Sequence, residues 1–243
     1  TQVKWGIADF RFRFRRAPES LWLPETACND ATMGTLIDEG LRYVILSPEQ
    51  AQRVKLISDR EWSDVSKGNI DPGTAYRYFH RDGSGRFIDV FFYDAPIARA
   101  IAFEGALNTS QMLLDRIGSA QGGENRVIQT ATDGESYGHH TKFGDRSLAY
   151  ALEYEAVRRG YQITNYGAYL EKNPPRMEVE LKPGPHGEGT AWSCAHGVGR
   201  WIRDCGCHTG GREGWNQKWR TPLRQAFDFL RDVGQASFEA KRG

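Results

Sequence analysis

No apolar run in the sequence approaches the roughly 18 residues that a bilayer-crossing helix needs, and the N-terminus has no basic-then-apolar signal pattern. No membrane partner is therefore expected, and a cytoplasmic location is. An excess of charge of either sign is also missing: 32 basic residues stand against 31 acidic ones, a formal net charge of +1. Nucleic-acid-binding domains usually carry a basic excess, so nucleic acid is not an expected partner. Cysteine is scarce. Cys28, Cys194, Cys205 and Cys207 are too few and too clustered to be a disulfide scaffold for 243 residues. An initiator Met is absent too, and the chain opens at Thr1 directly in a helical pattern, which reads as a piece cut from a longer protein.

The length suffices for one large α/β domain or two small ones. Residues 1 to 16 put Val3, Ile7, Phe10 and Phe14 on one side of a helix, with four arginines between them. Leu21-Trp-Leu-Pro-Glu25 follows as a short buried strand, and Asn29 or Asp30 caps a helix closed by Gly40. Tyr43–Leu46 is a strand, and Ser47-Pro-Glu-Gln50 has the signature of a capped helix start. Residues 60 to 86 form a polar excursion with a hairpin, and Phe87–Tyr93 returns as a strand ending at Asp94. Further on, the pattern predicts a helix near Met112 to Ile117 and a strand leading from Val127 to Asp133. A helix from Asp145 to Arg159 with Leu148, Leu152 and Ala156 inside, a strand at Tyr161 to Thr164, and a short helix capped by Asn165 complete it.

Alternating strands and helices through residues 18 to 172 predict a mainly parallel sheet or barrel. From about residue 178 the texture changes to Gly, Pro, Cys, His and Trp, followed by an amphipathic helix carrying Leu223, Phe227 and Leu230. The expected division is residues 1–177 as the barrel part and 178–243 as a Cys/His/Trp-rich helical subdomain packed against it.

The stretch Val127-Ile-Gln-Thr-Ala-Thr-Asp133-Gly-Glu135-Ser-Tyr-Gly138-His139-His140 delivers ionisable groups from an apolar run. Ligands of parallel α/β sheets sit beyond the carboxyl ends of strands, so acids there are site candidates. Glu25 and Asp133 both occupy such positions. Paired carboxylates are what glycosidic bond cleavage needs, with one proton donor whose pKa is raised by the other's charge. The plainer roles are a carboxylate meeting backbone donors after Pro24 for Glu25, and a turn residue before Gly134 for Asp133. Glu135 has the alternative of pairing with an arginine. Asp94 has that of capping the segment before Pro96, with Arg99 as its partner.

Trp22-Leu-Pro-Glu25 resembles the nucleophile region of glycoside hydrolase family 57, the α-glucan-active group of amylases, branching enzymes and glucanotransferases, and Asp133-x-Glu135-x-x-Gly138-His139 resembles its acid/base region. Trp5-Gly6-Ile7, Ile45-Leu46-Ser47-Pro48, Phe91-Phe-Tyr-Asp94 and Trp192-Ser-Cys-Ala-His196 resemble a bacterial branch with a further C-terminal domain of unassigned function. The resemblance implies an incomplete (β/α)7 TIM-like barrel with a C-terminal helical or irregular extension, an α-glucan or oligosaccharide partner, no cofactor and a retaining mechanism. Glu25 would be the nucleophile and Asp133 the acid/base. Glu135 and His139 would bond the catalytic groups or sugar hydroxyls, and Trp22, Tyr93 and Asp94 would line the subsites. The family's early His-Gln-Pro motif is missing, which fits a truncated N-terminus.

Cys194-x-His196 and Cys205-x-Cys207-His208 contain enough soft ligands for structural zinc, but the spacing is not that of paired CxxC knuckles, and buried thiols or a Cys205/Cys207 redox pair are the competing readings. Two other functions stay open. One is a catalytically silent carbohydrate-binding barrel. The other is a metal-dependent polysaccharide deacetylase in which Asp133, His139 and His140 converge on a cation.

Overall fold

Two parallel strands define the floor of the site, β1 (Tyr43–Leu46) and β5 (Phe87–Phe92), paired Tyr43 to Asp89 through Leu46 to Phe92. Their side chains are almost all apolar because helices cover one face and further core the other; Val44, Leu46, Ile88, Val90, Phe91 and Phe92 are fully buried. The computed structural model describes residues 1–120, 122–207 and 211–241. In it the sheet also holds β2 (Ala51–Leu56), β3 (Ser63–Asp64), β4 (Ala75–Phe79) and β6 (Met177–Leu181), in the order β1-β5-β4-β6-β2-β3. The sheet is not closed, and β1 and β3 form its two edges.

The helices are α1 (Gln2–Phe14), α2 (Asp30–Asp38), α3 (Ala95–Phe103), α4 (Ser110–Gly118), α5 (Gly144–Tyr150), α6 (Ala156–Arg158), α7 (Tyr166–Lys172) and α8 (Arg220–Ala240). Several caps match the sequence reading. Asn29 accepts from Thr32 N–H at 2.9 Å to start α2, and Asn165 accepts from Ala168 N–H at 2.9 Å to start α7. Among the described residues no helix is long and apolar enough to cross a membrane.

Three expectations need correction. First, the sheet is mixed rather than mainly parallel: β4 runs antiparallel to β5, and β2 runs antiparallel to both β6 and β3. The capped turn at Ser47 lasts only for Pro48–Gln50 and then becomes β2, because Gln50 turns its side chain inward instead of extending a helix. Second, residues 21–23, 127–132 and 161–164 are not strands. The stretch before Asp133 is extended but held by single bonds, Val127 N–H to Gly73 O at 3.1 Å and Asp94 N–H to Gln129 O at 3.0 Å, too sparse for a ladder. Third, no residue of α8 is buried among the described residues, and Leu223, Phe227 and Leu230 are exposed.

Within the helix from residue 144 to 158, a π turn (Ala151–Glu155) adds a residue to one turn. Ala151 and Ala156 are buried as a result, and Leu152 is rotated out to 41% exposure, against expectation. Strand β6 crosses the expected boundary at residue 178 and sits between β4 and β2, so the sheet continues through Leu181.

Candidate active site

Because β1 and β5 are parallel, their carboxyl ends emerge side by side, and Ser47 and Tyr93 meet there; Tyr93 N–H donates to Leu46 O at 3.3 Å. Beyond these ends lies a cleft of about 860 Å³, lined by Glu25, Tyr93, Asp133 and Trp192 among others. Helix α3 makes its opposite wall. Ala95, Ala98 and Ala102 recur at helical spacing and leave room along the middle of this wall, with Arg99 and Phe103 as the larger side chains on it.

Glu25 stands in an unusual loop. Both Glu25 (φ 56°) and Thr26 (φ 52°) adopt left-handed backbone, which costs non-glycine residues on the order of 1–2 kcal/mol each. Neighbours overdetermine the loop. Thr26 is fully buried, and Gln50, itself 1% exposed, donates Nε2–H to Thr26 O at 2.8 Å and to Thr190 Oγ1 at 3.1 Å while accepting from Ser47 N–H at 2.9 Å. Residues 190–192 then run antiparallel to the loop: Cys28 and Thr190 exchange N–H to C=O bonds of 3.0 Å, and Trp192 N–H donates to Glu25 O at 3.0 Å. Gly189 and Gly197 allow this approach, since a Cβ on Gly189 would strike Cys28 O and one on Gly197 would strike Gly189 O. The result fixes the catalytic candidate itself: Trp192 Nε1–H donates to Glu25 Oε2 at 3.0 Å.

Asp133 reaches the same cleft from the other side. It opens a 3-10 turn (Gly134–Tyr137) without capping it through its side chain, so the turn does not consume its carboxylate. Partial burial pushes the Asp133 pKa up, the negative charges of Glu25 and Glu135 push it further, and His140 pulls it back. A carboxyl whose pKa is raised beside a second carboxylate is the electrostatic pattern of an acid/base pair.

The other candidates divide. Tyr93 lines the cleft, 8% exposed, its hydroxyl bonded to Ser47 and its pKa raised by burial. Trp22 is 43% exposed and meets the Trp192 ring edge-on at 5.1 Å, stacking beside the cleft without lining it. Asp94 caps α3, accepting from Ile97 N–H at 2.9 Å, and opens onto a neighbouring pocket with Asp71, Arg126 and Gln129; Arg99 pairs instead with Glu104 at 2.8 Å. Glu135 and His139 are exposed and absent from the cleft lining, and the Glu135 carbonyl accepts from the N–H groups of His139 and His140.

Asp133, His139 and His140 do not gather into a ligand cluster. Among the described residues the group with that geometry is Cys194, His196, Cys205 and Cys207; His208 lies outside the described residues. Trp192, Gln50 and Thr26 were not singled out by sequence as parts of the site. Gln50, read as a cap, gave no sign of reaching across 24 residues to Thr26.

The open mixed sheet and a strand-end cleft that Glu25 and Asp133 both line are what the chain brings to comparison with known proteins. The family model for glycosyl hydrolase family 57 matches residues 1–182, and the chain belongs to that family. A second model, for a domain of unknown function (DUF3536), matches residues 215–243.

Three solved structures share the incomplete (β/α)7 fold. An exo-type maltose-forming amylase from Pyrococcus sp. ST04 aligns with a TM-score of 0.63 and 16% identity over 91% of this chain and 39% of its own. A branching enzyme from Thermococcus kodakaraensis gives 0.54 and 18% over 82% and 47%, and a 4-alpha-glucanotransferase from Thermococcus litoralis gives 0.50 and 18% over 72% and 24%. The chain thus spans less than half the length of each. No curated protein sequence matches this chain.

Proposed function

We propose that the chain is the catalytic portion of a retaining glycosidase or transglycosidase acting on α-glucan, with Glu25 as nucleophile and Asp133 as acid/base. The observation that carries this is the shared cleft, in which Glu25 is oriented by Trp192 and, after burial, its charge raises the Asp133 pKa. Glu25 attacks the anomeric carbon while Asp133 gives its proton to the leaving oxygen. With Glu25 esterified its charge is gone, so Asp133 becomes acidic enough to serve as the base that activates water or an acceptor sugar. Tyr93 and Trp192 offer aromatic surface to the substrate on the near side, with Trp22 packed against Trp192 at the margin of the subsites, and Ala98 and Ala102 leave room for sugar rings on the far side. Asp94, Glu135 and His139 complete the reading as residues at the margin of the subsites.

The proposal includes a bacterial, cytoplasmic setting, which four free thiols suit. It also includes a division of the chain into a barrel part, residues 1–177, and a C-terminal part, residues 178–243, with β6 carrying the sheet on to Leu181. The test is Asp133→Ala assayed on activated and unactivated α-glycosides with and without azide. Loss on the unactivated substrate, retention on the activated one, and azide rescue through an α-glycosyl azide are expected. Equal rates on both substrates without rescue would remove Asp133 from the mechanism.

A further inference from the structure

The segment from residue 184 to 219 has little to hold it. Among its described residues the regular structure is one 3-10 turn (Gly197–Trp201) and isolated bridges at Thr190, Ala191 and Cys194, and Trp201, Trp215 and Trp219 are exposed. Yet this segment supplies Trp192, the residue that orients Glu25. Segments without a core of their own are commonly tied by a metal or a disulfide.

Two residues beyond Trp192, four soft donors converge. The ligand atoms of Cys194, His196, Cys205 and Cys207 all lie within 4.8 Å of one another. Cys194 Sγ is 3.1 Å from Cys207 Sγ, His196 Nδ1 is 3.2 Å from Cys207 Sγ, and Cys194 Sγ is 3.7 Å from His196 Nδ1. A tetrahedral zinc with bonds of about 2.3 Å to sulfur and about 2.0 Å to nitrogen separates its ligand atoms by roughly 3.5–3.8 Å. One of the three separations lies in that range and two fall a few tenths of an ångström below it, so a small outward shift of the Cys207 thiol completes the geometry. A Cys194–Cys207 disulfide would account for two of the four groups and leave Cys205 and His196 unexplained.

The surroundings suit thiolates. The His196 backbone N–H donates to Cys194 Sγ at 3.3 Å, the Cys207 backbone N–H donates to Cys205 Sγ, and Arg220 Nη1 approaches Cys205 Sγ at 3.8 Å. Three thiolates and a neutral imidazole on a divalent cation carry one net negative charge, and the guanidinium at the root of α8 offsets it.

We propose that Cys194, His196, Cys205 and Cys207 form a structural zinc site. Binding releases three thiol protons to solvent and forms three Zn–S bonds and one Zn–N bond, with no change in oxidation state. The site closes a loop between the wall of the cleft and the start of α8, holding Trp192 against Glu25. It is closed by four protein ligands and has no catalytic role.

The chain purified without chelator should contain one zinc per molecule by native mass spectrometry and elemental analysis. Cobalt(II) exchange should give the near-ultraviolet thiolate-to-cobalt charge-transfer band and the visible bands of a tetrahedral site. The double variant Cys205→Ser/Cys207→Ser should lose the metal, and His186→Ala, outside the cluster, should keep it. Should the double variant not fold, thiol counting on the unmodified chain decides: three thiols must become reactive when zinc is removed, Cys28 remaining buried. A metal-free chain with a Cys194–Cys207 disulfide, or cobalt bands without thiolate charge transfer, would overturn the proposal.

Discussion

Replacing Trp192 by Phe removes one hydrogen bond, the 3.0 Å contact from the indole N–H to Glu25 Oε2, while keeping an aromatic ring beside Trp22 and Tyr93. A hydrogen bond to a charged group contributes about 1.5–3 kcal/mol when solvent is excluded. Trp192 is half-buried at the wall of an open cleft, so water replaces part of what is lost and the lower end applies. The expected loss in kcat/KM is therefore about 10-fold, close to 1.4 kcal/mol. Folding stability should change by about 1 kcal/mol or less, because the bonds of residues 190–192 to the Glu25 loop are made by backbone and remain. The assay is kcat and KM on a maltooligosaccharide, with urea denaturation in parallel. A folded Trp192→Phe protein with unchanged kcat/KM would refute the claim that Trp192 orients the nucleophile. Trp22→Phe is the comparison, since Trp22 meets the Trp192 ring edge-on, and the substitution should raise KM with little change in kcat.

Gln50→Leu should cost about 2–4 kcal/mol in urea denaturation, because it leaves Thr26 O and the Ser47 N–H buried without their partner; a cost below about 0.5 kcal/mol would contradict this role. Glu25→Gly should be more stable than Glu25→Ala by about 1 kcal/mol, since glycine accepts φ 56° without strain, and thermal denaturation showing the reverse order would count against stored strain at this position. Glu135→Gln removes one of the charges that raise the Asp133 pKa. An acid must be protonated to act, so activity falls as pH rises through its pKa, and lowering that pKa should move the alkaline limb of the kcat/KM profile to lower pH. An unmoved limb would dissociate that limb from Asp133.

How much was legible in the sequence depended on whether a residue's role is local. Asn165 was read as a cap, and Asn29 as one of two candidates with Asp30, because a cap is settled within three residues. Glu25 and Asp133 were chosen by pattern, and the structure places both on one cleft. The strands were harder. Met177-Glu-Val-Glu-Leu181 alternates strictly and carried the signal of β6, but two prolines before it and a change of composition after it read as a boundary. Val127–Thr132 has β-branched residues yet lacks a ladder, because it meets Gly73 and Asp94 at separated points instead of a neighbouring strand. The π turn that swaps Leu152 for Ala151 in the core is set by tertiary packing and leaves no periodic mark. Trp192 lies 167 residues from Glu25, and no local pattern announces such a pair.

The most direct test of the central claim is trapping. A 5-fluoro α-glucosyl fluoride slows breakdown of a glycosyl-enzyme more than its formation, so peptide mapping by mass spectrometry identifies the nucleophile. The account predicts one added sugar on the peptide containing Glu25 and none on Glu25→Gln. An adduct on another carboxylate, with Glu25 unlabelled in an active enzyme, would contradict it.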